Sequence, residues 1–291
     1  MVTLLKWLVC LCVIPFLASC AESDKERLSK LVNEWERKEI LFPTHSTFTI
    51  QGKDTVDFEF KDADYKVVTY VDSVGCTSCK LQLPRWKELI AEVDSLTDEN
   101  VPFLFYFHPK DVRELRYFTK VDAFTYPICF DEKDNFNRLN RFPSEMMFQT
   151  FLLDKENKVV ALGNPVLNPM VKELYLKFIT GNQDSPKTEI ITQVSINHTE
   201  IDFGAFPKGE KQERSFVLTN TGKQLLVVHD VVTFCGCTKV ECSKQPVRPG
   251  ETLELKVVYE AKDLGHFNKS IKVYCNAEDS PLCLKVKGNV I

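Results

Sequence analysis

The sequence is poor in several things, and each shortage excludes a class. It holds 11 Gly and 14 Pro in 291 residues, with no internal repeat or low-complexity tract, so collagenous and disordered chains are ruled out. Basic charge is not in excess: 37 Lys and Arg against 41 Asp and Glu give a formal net charge of −4, which leaves no footprint for nucleic acid and no polybasic patch for an anionic membrane. The five histidines, at 45, 108, 198, 229 and 266, are scattered, and none stands at ligand spacing from a cysteine or carboxylate. No G-x-S-x-G elbow, phosphate loop or dinucleotide fingerprint is present, so hydrolase and nucleotide readings lack support and no cofactor is implied. What the chain has in plenty is cysteine. Eleven occur, at 10, 12, 20, 76, 79, 129, 235, 237, 242, 275 and 283, in a chain whose length suits two ordinary domains.

Residues 1–19 read as a secretory signal, with the cation Lys6 followed by the apolar stretch Trp7 to Leu17, too short for an ordinary membrane span. The stretch ends in Leu17-Ala18-Ser19-Cys20, which resembles a bacterial lipobox. That resemblance implies cleavage before Cys20 and attachment of acyl chains such as palmitate to it, each buried methylene contributing about 0.8 kcal/mol to anchoring. Cys10 and Cys12 then leave with the leader and Cys20 becomes the anchor, in a compartment that permits disulfides. A short polar tether and a helix with apolar positions Leu28, Leu31, Val32 and Trp35 carry the chain to residue 45; the helix is expected to pack on the domain C-terminal to it.

From 46 to 181 strands and helices alternate, which predicts an α/β domain. Strand patterns fall at 47–50, 56–60, 65–71 and 101–107, with a strand pair over 151–162 turning at 154–157. Helical patterns fall at 80–93, 111–119 and 170–179. Residues 182–189 form a polar linker. Seven short strand patterns then fill 190–291, the arithmetic of an immunoglobulin-like sandwich.

The first chemical signal is Cys76-Thr77-Ser78-Cys79, a dithiol at the junction of an apolar strand and a helix. A helix N-terminus stabilises a thiolate, so Cys76 is the expected nucleophile and Cys79, one turn on, the resolver. The stretch Val68 to Pro84, with Lys80 following the second cysteine, resembles the active-site strand and helix of thioredoxin-like proteins, particularly membrane-tethered thiol-disulfide oxidoreductases of the TlpA kind. Tyr126-Pro127-Ile128-Cys129-Phe130-Asp131 and Thr150-Phe151-Leu152-Leu153-Asp154 resemble later strands of that group. Two positions depart from it. Gly75 stands where Trp is common, and Phe148 falls at the family's cis-proline, with Pro143 the alternative. Tyr70 sits at the usual buried-acid position and Asp72 is nearby. The competing reading of Cys76 and Cys79 is a structural disulfide on a binding scaffold. Cys129 reads as a core thiol.

The second signal is Phe234-Cys235-Gly236-Cys237-Thr238. With Ile201-Asp202-Phe203-Gly204, Asn220-Thr221-Gly222 and Arg248-Pro249-Gly250-Glu251, it resembles a bacterial Ig-like domain family of unknown function. Cys235 and Cys237 are open to three readings: structural bridges, soft-metal capture with Cys242, or a redox target of the first domain. Cys275 and Cys283 flank a turn and are expected to face each other as a hairpin disulfide.

The combined expectation is an α/β thioredoxin-like domain followed by an all-β immunoglobulin-like sandwich, lipid-anchored in a bacterial cell envelope, at the outer membrane on its periplasmic or surface face. Its partners would be the membrane, through the anchor, and envelope-protein thiols and disulfides. The rival, from another class, is a non-catalytic envelope binding protein.

Overall fold

A computed structural model describes residues 24–74, 80–181, 191–234, 236–261 and 263–291. Cys20, Cys76, Cys79 and Cys235, the leader and the linker lie outside the described residues. The chain divides into two compact units, Met1–Trp35 and Glu36–Ile291.

The first unit contains helix α1 (Asp24–Trp35). Two of its expected packing positions, Leu28 and Val32, are exposed at 43% and 40%.

The second unit opens with an α/β half. Its strands are β1 (Phe48–Ile50), β2 (Asp54–Val56), β3 (Tyr65–Val71), β4 (Phe103–Phe107), β5 (Ile128–Phe130), β6 (Thr150–Asp154) and β7 (Val159–Leu162), in the order β2-β1-β5-β4-β3-β6-β7. The strands β3, β4 and β5 run parallel, while β6 lies antiparallel to β3 on its other side. Parallel neighbours need crossovers. The helices α2 (Leu83–Leu96) and α3 (Val112–Val121) supply them. A short helix α4 (Asn135–Asn140) comes after β5, and α5 (Pro169–Thr180) closes the half, capped by Asn168 and ended by Gly181 at φ 66°. The strands β3 and β4 are buried on both faces, which is why their sequences are near-continuous apolar runs.

Three expectations need correction. The second strand is 54–56, not 56–60; the alternating Phe58 and Phe60 pack as rings against Phe48 and Phe42 and do not pair as strand. The helix after the dithiol restarts at Leu83, because Gln82 adopts a left-handed turn at φ 45° and Pro84 then occupies the first turn of α2, where a missing N–H costs nothing. Among the described residues the one cis peptide bond precedes Pro281, so Pro143 is trans and does not stand in for the family proline.

Among the described residues the all-β half has eight strands where seven were expected: β8 (Val194–Ile196), β9 (Glu200–Phe206), β10 (Lys211–Asn220), β11 (Val228–Thr233), β12 (Thr238–Cys242), β13 (Thr252–Glu260), β14 (Gly265–Cys275) and β15 (Leu282–Val290). The added one is β12, immediately after the turn at Gly236 and Cys237. Two four-stranded sheets, β12-β13-β10-β8 and β11-β14-β15-β9, enclose a core that includes Phe216, Leu218, Leu255, Ile271 and Leu284. Alternating burial along β13 and β15 shows one face inward and one outward.

Candidate functional site

The carboxyl ends of parallel strands are where open α/β sheets present their chemistry. In this sheet that edge carries Asp72 after β3, His108 after β4, Asp131 after β5 and Gln149 before β6. Asp72 turns into the protein. Its carboxylate accepts from Lys80 Nζ, from Gln149 Nε2 at 2.8 Å and from the Val74 amide at 2.7 Å. Burial pushes the Asp72 carboxyl up, but the donors Lys80, Gln149 and Val74, with the lysine charge, outweigh burial and hold it below the ordinary carboxylate range. Gln149, 3% exposed, also donates to the Pro143 carbonyl at 2.9 Å, and its Oε1 has no partner among the described residues. Val74 and Lys80 are the described residues on either side of 75–79, so one carboxylate ties together both ends of the dithiol segment.

The neighbouring polar groups are structural. Tyr70 donates to Asp134 Oδ1 at 2.7 Å; burial, then that carboxylate, push its phenol well above the usual range. Asp131 caps α4 through the amides of Asn135 and Phe136, and its carbonyl meets His108 Nδ1 at 3.0 Å. Cys129 on β5 is buried, and burial, with Asp131 adding to it, pushes its thiol up to about 12, as a core thiol requires.

The all-β half docks beside this edge. Arg85, on the first turn of α2, donates to the Val166 carbonyl at 2.8 Å, to Asp230 at 2.9 and 3.3 Å and to the Val231 carbonyl at 2.9 Å. Val232 and Tyr274, on the outer face of β11 and β14, are buried at 0% and 6% in the core of the α/β half, with Phe234 packed against it. Lys272 on β14 reaches Met147 Sδ at 3.7 Å and lies 5.6 Å over the Phe234 ring.

Of the sequence-predicted cysteines in this half, Gly236 and Cys237 occupy a turn, and Cys237 is buried and disulfide-bonded. Cys129, Cys242, Cys275 and Cys283 remain thiols. The expected Cys275–Cys283 disulfide is therefore wrong. Val273 pairs with Leu282 and Lys272 with Cys283, which puts Cys275 on the inner face of the sheet and Cys283 on the outer. No group of three metal-ligating side chains exists among the described residues. Sequence reasoning missed the Arg85 and Asp230 contact and the inward turn of Asp72, since neither carries a local signal.

The chain thus defines a two-part class: a mixed α/β region on a seven-stranded sheet, fused to an all-β sandwich. Residues 194–290 match the family described as "Protein of unknown function (DUF1573)". No curated protein matches the sequence. Among solved structures, a protein of unknown function from Porphyromonas gingivalis W83 is 21% identical over 37% of this chain and 51% of its own, at TM-score 0.32. The chain spans about half of that protein's length. The bacterioferritin comigratory protein of Xanthomonas campestris is 15% identical over 46% of this chain and 90% of its own, at TM-score 0.35. The PapD-like domain 7 of human CEP192 is 18% identical over 38% of this chain and 94% of its own, at TM-score 0.29.

Proposed function

We propose that the protein exchanges thiols and disulfides through Cys76 and Cys79, on a thioredoxin-like α/β domain held to a bacterial envelope membrane by acyl chains on Cys20, with an immunoglobulin-like DUF1573 sandwich alongside. The observation that carries this is the position of Cys-x-x-Cys between β3 and α2, with Asp72, Lys80 and Gln149 converging on its flanks. The sheet order, with β4 and β6 on either side of β3, is the one that the thioredoxin-like resemblance implies.

In this reading the Cys76 thiolate attacks a substrate disulfide, forming a mixed disulfide and releasing one substrate thiolate. Cys79 then attacks Cys76 Sγ and releases the second thiolate. The dithiol is oxidised, and the substrate gains two electrons and two protons. Lys80 supplies cationic charge next to the pair, which favours the thiolate. The ionised Asp72 holds that lysine in place.

Turnover of insulin or another disulfide protein tests the reading. Cys76→Ser should abolish it, and Cys79→Ser should stop the cycle after one mixed disulfide. Turnover unchanged in Cys76→Ser would refute the assignment, and none in the parent chain would favour a scaffold used only for binding.

A further inference from the structure

We propose that the open edge of β12 pairs antiparallel with the β12 of a second copy of this chain, about a two-fold axis at Val240, so that two sandwiches share one continuous sheet. This does not depend on the thiol-exchange reading.

Among the described residues six strands end a sheet, and five of them are closed to a newcomer. The strands β2 and β8 are three residues each. Residues 37–40 cover β7: Arg37 donates to the Val159 carbonyl and Val159 to the Lys38 carbonyl, both at 2.9 Å. On β11 the carbonyls of His229 and Val231 are taken by Lys244 at 3.0 Å and by Arg85 at 2.9 Å. The run of β9 is broken at Gly204, φ 71°, whose amide turns onto the Asp202 carboxylate at 2.8 Å. The strand β12 has no such device. It is five residues in regular register, Thr238-Lys239-Val240-Glu241-Cys242, without proline, glycine or bulge.

The phase of the ladder fixes which backbone groups of β12 face outward. The Glu260 amide donates to the Cys237 carbonyl at 2.9 Å, and these two residues stand opposite in the register that pairs Thr238 with Tyr259. Hydrogen-bonded pairs alternate in an antiparallel ladder, so Lys239 and Glu241 exchange bonds with Val258 and Lys256. The far side of β13 keeps the same phase: the Asn220 amide donates to the Glu251 carbonyl at 3.0 Å, which leaves the odd residues of β13 to β10. Thr238, Val240 and Cys242 therefore direct both N–H and C=O away from β13, where no strand adjoins them among the described residues.

The occupant follows from charge. An axis at Val240 sets Val240 against Val240 of the second copy, Thr238 against Cys242, and Lys239 against Glu241. The first two kinds of pair exchange backbone bonds, and the charged pairs fall at the non-bonded positions, where Cα atoms approach to about 4.5 Å and side chains meet. Within its own chain the exposed Lys239 faces Val258 rather than an anion, while Glu241 faces Lys256, itself held by Glu213 at 2.7 Å. The second copy's lysine thus continues an alternating row of Glu213, Lys256 and Glu241 across the outer face. Moving the axis to Lys239 or to Glu241 keeps the bonds but opposes like charges, so one register is selected. On the inner face the half-buried Val240 and Cys242 already pack on the sandwich core, which the Val240 pair extends. Five residues from each copy make a small contact, so the dimer is reversible and weaker than about 1 µM.

The test is a charge swap in the full chain, in a Cys283→Ser background that prevents a disulfide between copies at that exposed thiol. Sedimentation equilibrium from about 1 to 500 µM should show a monomer and dimer in exchange. Lys239→Glu alone and Glu241→Lys alone should each weaken the dimer more than about tenfold, because like charges then face each other at both symmetric pairs. An equal mixture of the two variants should recover the parent affinity, since every facing pair is again acid against base. A parent chain that stays monomeric throughout, or a mixture no tighter than either variant alone, overturns the proposal.

Hydrogen exchange on the chain without charge substitutions covers the case of a variant that does not fold. Raising the concentration through the association range should slow the amides of Thr238, Val240 and Cys242, and leave those of Lys239 and Glu241, already bonded to β13, unchanged. Association that leaves the first three amides as fast as in the monomer would put the contact elsewhere and contradict the β12 edge.

Discussion

In the all-β half the buried side-chain amides are used up by backbone. Asn220 donates to the carbonyls of Gln224 and Val247 and accepts from Thr192 and Gly222, and Asn276 bridges Leu225 and Val227. In the α/β half Asn140 and Asn164 are used the same way, but one sheet end differs: there Lys80 and Gln149 both donate to Asp72, and Gln149 Oε1 has no partner among the described residues. Satisfied polar groups of the first kind fix loops and specify a fold, whereas a charged cluster beside a dithiol sets protonation. Under the proposed exchange reading, that cluster places the chemistry in the α/β half.

The largest effect that can break this contrast is on folding itself. Phe105 and Leu255, each 0% exposed, are core residues of opposite halves. Phe105→Ala and Leu255→Ala should each cost about 3–5 kcal/mol. If Val232 and Tyr274 fuse the halves as the shared core indicates, calorimetry will show each variant lowering one common transition; two transitions moving separately would make the halves independent.

Next in size is the seam. Arg85→Ala or Asp230→Ala should cost about 1–3 kcal/mol, since a partly exposed guanidinium loses hydrogen bonds to a carboxylate and two carbonyls. A double-mutant cycle by urea unfolding that returns no coupling between them would dissolve the contact.

The Asp72 carboxylate has a pH signature. The Asp72 carboxyl is lower in the folded chain than in an unfolded one, so its contribution is complete above the ordinary carboxylate pKa and is lost as pH falls through the folded value. The parent chain should therefore exceed Asp72→Asn by about 1–2 kcal/mol near neutrality, from charge-assisted hydrogen bonds, with the gap closing on acidification below about pH 4. A gap that widens in acid would reverse the assignment.

The smallest effect concerns the remaining thiols. Cys283→Ser should move stability by less than about 0.5 kcal/mol, and the exposed Cys283 should alkylate in the native chain. Cys129, with its thiol up at about 12, and the buried Cys275 should label only on unfolding. Native labelling of Cys129 would place it outside the core.

Long patterns were legible in the sequence. The apolar runs of β3 and β4, the alternation of β13 and β15, the Asp111 cap of α3 and the Gly181 stop of α5 all stand where periodicity and capping chemistry put them. Short elements held by distant partners were not. The helix α4 has six residues and depends on Asp131 for its cap, and β12 is five residues that read as a motif until β13 pairs with them. The candidate site divides the same way. Local spacing points to Cys76 and Cys79, but whether Asp72 faces in or out is decided by one residue of strand parity. The Cys275 and Cys283 expectation failed for that reason: two cysteines flanking a turn can occupy opposite faces of a sheet.

The central claim, that Cys76 and Cys79 form an exchanging pair, is tested most directly by their reduction potential, measured by equilibration against glutathione or dithiothreitol buffers. The account predicts a value in the range of working oxidoreductases, about −270 to −120 mV, lost in Cys76→Ser. A pair that stays oxidised below about −300 mV would be a structural disulfide and would contradict it.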